Sequence, residues 1–87
     1  MTSIEIEIRH AVGLHARPAA LFVQAAQKYQ SAITLAFDGR SANAKSLLGI
    51  LGLGAGSGAR VTITATGEDE AAAVQALKQL VESNFGE

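Results

Sequence analysis

His15 and Arg17 are two side chains whose types and spacing could do chemistry. They stand in the run Gly13-Leu14-His15-Ala16-Arg17-Pro18-Ala19. An imidazole is nucleophilic when neutral near pH 7 and can host a group covalently, which splits one transfer into two steps. A helical pattern begins here, and the first-turn N–H groups at the positive end of a helix favour an anion. Arg17 could add charge-assisted hydrogen bonds to that same anion. A phosphoryl group on His15, in the field of that helix end and of Arg17, is one chemistry this pattern suggests. The same spacing also fits a surface histidine or a helix cap.

Other candidate chemistries find less support. His10 and His15 make a poor metal set without cysteine and with Pro18 fixing the chain, so no metal is expected and His10 reads as a surface residue. Gly52-Leu53-Gly54-Ala55-Gly56-Ser57-Gly58 lacks the G-x-G-x-x-G spacing and leads into a strand pattern, so it reads as turns. Lys28, Lys45 and Lys78 follow no phosphate-binding glycine loop, so a phosphate donor must come from a partner and no cofactor is expected. Paired carboxylates in a cleft are not evident, which argues against a self-sufficient enzyme.

Stepping outward, the residues that must position His15 fall into elements. Ile4, Ile6 and Ile8 alternate with Glu5, Glu7 and Arg9, a half-buried strand. Ala19, Phe22, Val23 and Ala26 recur at helical spacing within 16–29, with Pro18 tolerated in the first turn. Ile33, Leu35 and Phe37, then Asp38-Gly39, then 40–44 read as a hairpin. Ser46 is an N-cap, worth about 1 kcal/mol to a short helix that Gly52 or Gly54 would stop. Val61, Ile63 and Ala65 alternate with Thr62, Thr64 and Thr66 in a fourth strand. Asp69 would cap a last helix with the stripe Ala73, Val74, Leu77, Leu80 and Val81, running to about Ser83. The order β-α-β-β-α-β-α favours a two-layer α+β sheet with helices on one face. No internal repeat or linker is seen, so 1–87 is read as one domain.

Leu47, Leu48 and Leu51 exceed what one short helix can bury, and Ala20, Leu21 and Gln24 lie on the first helix opposite Phe22 and Val23. An exposed docking patch is expected from these six, although Leu47 and Leu51 also fit a core; Ile50 and Leu53 are assigned there.

Composition narrows the partners. Seven basic and eight acidic residues give a net charge of −1 with no basic cluster, so nucleic acid is not an expected partner. The 48% apolar content supplies a core, yet no Trp, a single Tyr and three Phe make that core aliphatic. The absence of cysteine removes disulfides and thiolate chemistry. The beginning lacks a signal-peptide pattern, and no apolar run approaches the roughly 20 residues of a membrane helix, so a cytoplasmic protein without membrane insertion is expected.

The run Gly-Leu-His-Ala-Arg-Pro-Ala resembles the active-site signature of the HPr family, histidine phosphocarriers of the bacterial phosphoenolpyruvate:sugar phosphotransferase system. Ala44-Lys45-Ser46-Leu47-Leu48-Gly49-Ile50-Leu51 is similar to the family's second signature, and Gly67-Glu68-Asp69-Glu70 to its approach to the last helix. The resemblance implies an open-faced β-sandwich, a four-stranded antiparallel sheet with three helices on one face. It implies phosphorylation of His15 at Nδ1 by Enzyme I, with the phosphoryl group directed toward the backbone N–H groups of Ala16 and Arg17, discharge to Enzyme IIA domains, and a monomer. It also implies that Ser46 can be the target of a regulatory serine kinase and phosphatase, with a transcription regulator as a further partner. The alternative is a regulatory module of a nitrogen-type or carbon-regulation branch acting mainly through Ser46 and the Leu47/Leu48/Leu51 surface. Val12 departs from the family, where this position is often polar, and Ser83-Asn84-Phe85-Gly86-Glu87 departs from the sugar-system members.

Overall fold

Apolar alternation and helical periodicity become the elements they predict, with differences confined to their ends. A computed structural model of the chain describes residues 1–11 and 13–86, so the reading of Val12 lies outside the described residues. The strands β1 (Thr2–Glu7), β2 (Ala32–Phe37), β3 (Arg40–Asn43) and β4 (Arg60–Thr66) form one antiparallel sheet in the order β1-β4-β2-β3. The helices α1 (Ala16–Ala26), α2 (Leu47–Leu53) and α3 (Glu70–Glu82) cover one face, giving the open-faced α+β sandwich.

The β-branched rows meet the helices' apolar stripes. Ile6, Ile8, Ile33, Leu35, Val61 and Ile63 pack with Phe22, Ile50, Leu53, Val74, Leu77 and Leu14 in a single aliphatic cluster. Asp38 and Gly39 have φ of 54° and 78°, as a two-residue type I′ hairpin turn requires, and Phe37 pairs with Arg40 across it. Among the described residues no helix is long and apolar enough to cross a membrane.

Four expectations need correction. First, α1 stops at Ala26 rather than reaching Tyr29, because Lys28 and Tyr29 bond three residues back to Ala25 and Ala26. The Tyr29 carbonyl thereby turns to accept the Lys45 ammonium at 2.7 Å. Second, Gly52 lies inside α2, which ends at Gly54; Arg40 reaches over from β3 to donate to the Leu53 carbonyl at 2.8 Å. Third, His10 is half-buried, packed edge-on against Phe85 of a 3-10 turn at Asn84–Gly86.

The fourth correction concerns Asp69. It stands at the N-cap position of α3, yet its carboxylate makes no cap bond. It accepts instead from the Ser31 hydroxyl, from Ser31 N–H at 2.9 Å and from Gln30 N–H at 2.8 Å, tying α3 to the start of β2. Glu70 beside it accepts from the Met1 amino group, the Thr2 hydroxyl at 2.6 Å and Gly67 N–H at 3.2 Å.

This pair makes the fold acid-sensitive. The Ser31 hydroxyl, then Gln30 N–H, lower the Asp69 pKa, and the Met1 ammonium, then the Thr2 hydroxyl, lower that of Glu70 to about 2. Carboxyls depressed in the folded state contribute stability that is fully present above their unfolded values, about 4. That stability is lost as pH falls through the folded values. The urea midpoint should therefore drop between about pH 4 and pH 2. Asp69→Asn should flatten that slope, and an unchanged slope would contradict the assignment.

Candidate functional site

A short loop between β1 and α1 delivers His15, and it is fixed by a backbone bond within the loop and by backbone contacts from 55–56. Gly13 donates to the His10 carbonyl at 2.9 Å, and Leu14 donates to the Ala55 carbonyl at 2.8 Å while its side chain lies buried in the core. Gly13 has φ +69°, and a β-carbon there would lie 2.5 Å from the Gly56 Cα. Only a residue without a side chain allows the two loops to approach so closely.

With Leu14 anchored inward, His15 is directed outward. It occupies the N-cap position of α1 in extended backbone, φ −141° and ψ 153°, and its ring makes no cap hydrogen bond. The side chain is exposed, which distinguishes it from a histidine used as a cap. Ala16 follows with φ 50°, a left-handed value that costs a residue bearing a β-carbon about 1–2 kcal/mol. The chain thus changes direction sharply beside the imidazole before the helix settles.

Arg17 is exposed in the first turn of α1 and enters no ion pair among the described residues. No acidic side chain stands in that turn. The early N–H groups of a helix lack intrahelical acceptors, so this end offers donors and a positive dipole next to His15. An anion held there would meet an exposed guanidinium with no competing carboxylate on the same turn.

The second cluster lies on α2, which packs beside α1. The Ser46 Oγ accepts from Gly49 N–H at 3.1 Å, so this side chain does cap its helix. Leu48 is 84% exposed and Leu47 43% exposed, while Leu51 is half-buried against the core. On α1, Gln24 is exposed and Ala20 and Leu21 are half-buried. A shallow groove between β3 and α2, lined by Arg40, Asn43, Ser46, Leu48 and Leu53, runs beside this cluster. Among the described residues no group of three or more His, Cys, Asp or Glu side chains is placed to hold a metal ion.

Sequence reasoning overlooked the fit of Gly13 against Gly56 and the burial of Phe85. The second had a signal, a lone aromatic residue in an otherwise polar tail.

Comparison with known proteins bears on the family and the fold. The family described as PTS HPr component phosphorylation site matches residues 2–83. The phosphocarrier protein HPr of Xylella fastidiosa (strain Temecula1 / ATCC 700964) is 42% identical over 87 residues, covering 100% of this chain and 98% of its own. The HPr-like protein Crh of Bacillus subtilis is 44% identical over 82 residues, 94% of this chain and 96% of its own. A crystal structure of HPr from Thermoanaerobacter tengcongensis superposes with a TM-score of 0.98 at 50% identity, covering 100% of this chain and 98% of that one. A crystal structure of an HPr dimer from the same organism matches with a TM-score of 0.81, covering all of both chains.

Proposed function

This chain belongs to the HPr family, and from that premise we propose that it is a phosphocarrier whose His15 takes a phosphoryl group from phosphorylated Enzyme I and passes it to Enzyme IIA domains. The observation that carries this reading is the exposed, uncapped imidazole of His15 at the start of α1 with Arg17 on the first turn. In the forward step an imidazole nitrogen, Nδ1 by the family's pattern, forms the N–P bond as the bond to the donor breaks. In the second step the acceptor attacks and the imidazole leaves unchanged. Arg17 and the N–H groups of Ala16 and Arg17 hold the phosphoryl oxygens in both directions, so the group is stabilised without being trapped on one side. Such a relay operates in the cytoplasm, and the chain acts there as a monomer.

The test is incubation with Enzyme I, magnesium and labelled phosphoenolpyruvate. Acid-labile label on the chain is expected, and its stable absence would overturn the reading.

Docking is assigned to Ala20, Leu21 and Gln24 of α1 with Leu47, Leu48 and Leu51 of α2. A side chain as exposed as Leu48 contributes nothing to the core but gains on covering by a partner, about 1.5–3 kcal/mol for full burial. Leu48→Asp should therefore weaken capture by Enzyme I or an Enzyme IIA roughly tenfold or more. Its folding stability should move by no more than about 0.5 kcal/mol. Titration calorimetry beside urea unfolding checks both, and unchanged affinity would remove Leu48 from the surface.

Ser46 supports a second, regulatory reading, because its hydroxyl adjoins Leu47 and Leu48. A kinase would add about −1.5 to −2 charges there. The helix N-terminus tolerates that charge, whereas an apolar or acidic partner surface does not. A serine kinase and phosphatase and a transcription regulator are the partners this implies. Serine phosphorylation in a lysate with no histidine label would favour the regulatory role as the main one.

A further inference from the structure

Beyond α3 the chain makes a strained turn that buries one ring. Asn84 and Phe85 both have φ 58°, a left-handed conformation penalised in residues with a β-carbon, and Gly86 follows at φ 80°. Phe85 is nevertheless only 3% exposed. Gly86 N–H donates to the Ser83 carbonyl at 3.1 Å and the Ser83 hydroxyl to the Leu80 carbonyl at 3.0 Å, so the turn is closed onto the end of α3.

The phenyl ring meets the His10 imidazole edge-on, with centroids 5.8 Å apart and planes at 75°, the arrangement that aromatic quadrupoles favour. His10 is also the residue whose carbonyl receives Gly13 N–H and closes the turn leading to Leu14 and His15. The far side of that loop is held by Ala55 and Gly56. The loop bearing His15 is thus clamped between two supports, a backbone contact from 55–56 and an aromatic one from the turn after α3.

We propose that Phe85 is a positioning residue for His15, acting through His10 to fix the direction in which the imidazole meets its phosphoryl donor. The proposal rests on the reading of His15 as phosphoryl host. An aliphatic side chain of similar volume would fill the core as well as Phe85 does, but it would not reproduce the edge-to-face contact with His10. A reacting group displaced by about an ångström loses rate without losing its binding surface.

The experiment uses the full chain with Phe85→Leu, His10→Leu, their combination, and His10→Phe, each confirmed folded by circular dichroism at the assay temperature. In phosphorylation by Enzyme I, both single leucine variants should lower kcat roughly three- to tenfold with KM unchanged. The combination should be no slower than either, and His10→Phe should recover most of the loss of His10→Leu. An unaltered kcat in His10→Leu, or losses that multiply in the combination, would overturn the proposal. Amide hydrogen exchange is read in parallel and needs no phosphorylation: exchange at Gly13 and Leu14 should rise in both single leucine variants while Val61 is unaffected. No rise there overturns the buttress even if the parent chain takes no label, an outcome that instead defeats the phosphocarrier reading.

Discussion

His15→Ala is expected to abolish acid-labile labelling by Enzyme I and phosphoenolpyruvate while leaving the fold intact. The side chain is exposed and caps nothing, so its loss should change unfolding free energy by no more than about 0.5 kcal/mol. Removing the atom proposed to form the N–P bond removes the covalent route itself, and His10 is not expected to substitute because it is half-buried against Phe85. Arg17→Ala provides the graded comparison: the bond can still form, but a charged donor to the phosphoryl oxygens is gone, so transfer should slow by about 10- to 1,000-fold rather than vanish. Retained label on His15→Ala, located elsewhere by peptide mapping, would move the phosphoryl host to another residue.

Gly13→Ala should have the largest effect on the fold near the site. Its β-carbon would fall 2.5 Å from the Gly56 Cα, 2.6 Å from the Gly56 carbonyl carbon and 2.7 Å from the Ala55 carbonyl oxygen. All three are backbone atoms that cannot rotate away. The left-handed φ of +69° adds about 1–2 kcal/mol and the forced overpacking about 1–3 kcal/mol. A loss of about 2–5 kcal/mol is a large fraction of the 5–15 kcal/mol that a small domain possesses. Gly56→Ala is the control across the same contact, since a β-carbon built there has nothing within 4 Å. Urea unfolding should separate the two by several-fold in destabilisation, with labelling lost only in Gly13→Ala. Equal stability of the two variants would show that the loops part freely.

What could be read from the sequence was whatever is encoded locally. Alternating Ile4, Ile6 and Ile8 and the Thr-faced strand at Val61, Ile63 and Ala65 marked β1 and β4, and Asp38-Gly39 marked its hairpin. Ser46 marked the start of α2 through a cap three residues long. The place of His15 at the start of a helix followed from the same local logic, since helical spacing begins just after it. Features set by distant partners were not legible. The Asp69 carboxylate had an equally good local use as a cap, and only the approach of Ser31 and Gln30 diverts it. Likewise, Gly13 looked like any turn glycine until Gly56 was seen against it, and Phe85 looked like a tail residue until His10 received it.

The sheet order places β1, the first of the four strands in chain order, against β4, the last of them. The His15 loop inherits that separation, because Ile8 N–H needs the Ala59 carbonyl, Leu14 N–H needs the Ala55 carbonyl, and Gly58 N–H bonds back to Ile8. At a synthesis rate of about 5–20 residues per second, the ribosome adds His15 some seconds before these partners exist. Such long-range closures come late in folding as well as in synthesis. His15, the proposed phosphoryl host, is therefore translated before the segments that frame it, and its frame closes only when they fold against it. A nascent chain that ends before residue 55 presents the imidazole without its frame, so the exchange proposed for His15 would begin only once 55–59 have folded against it.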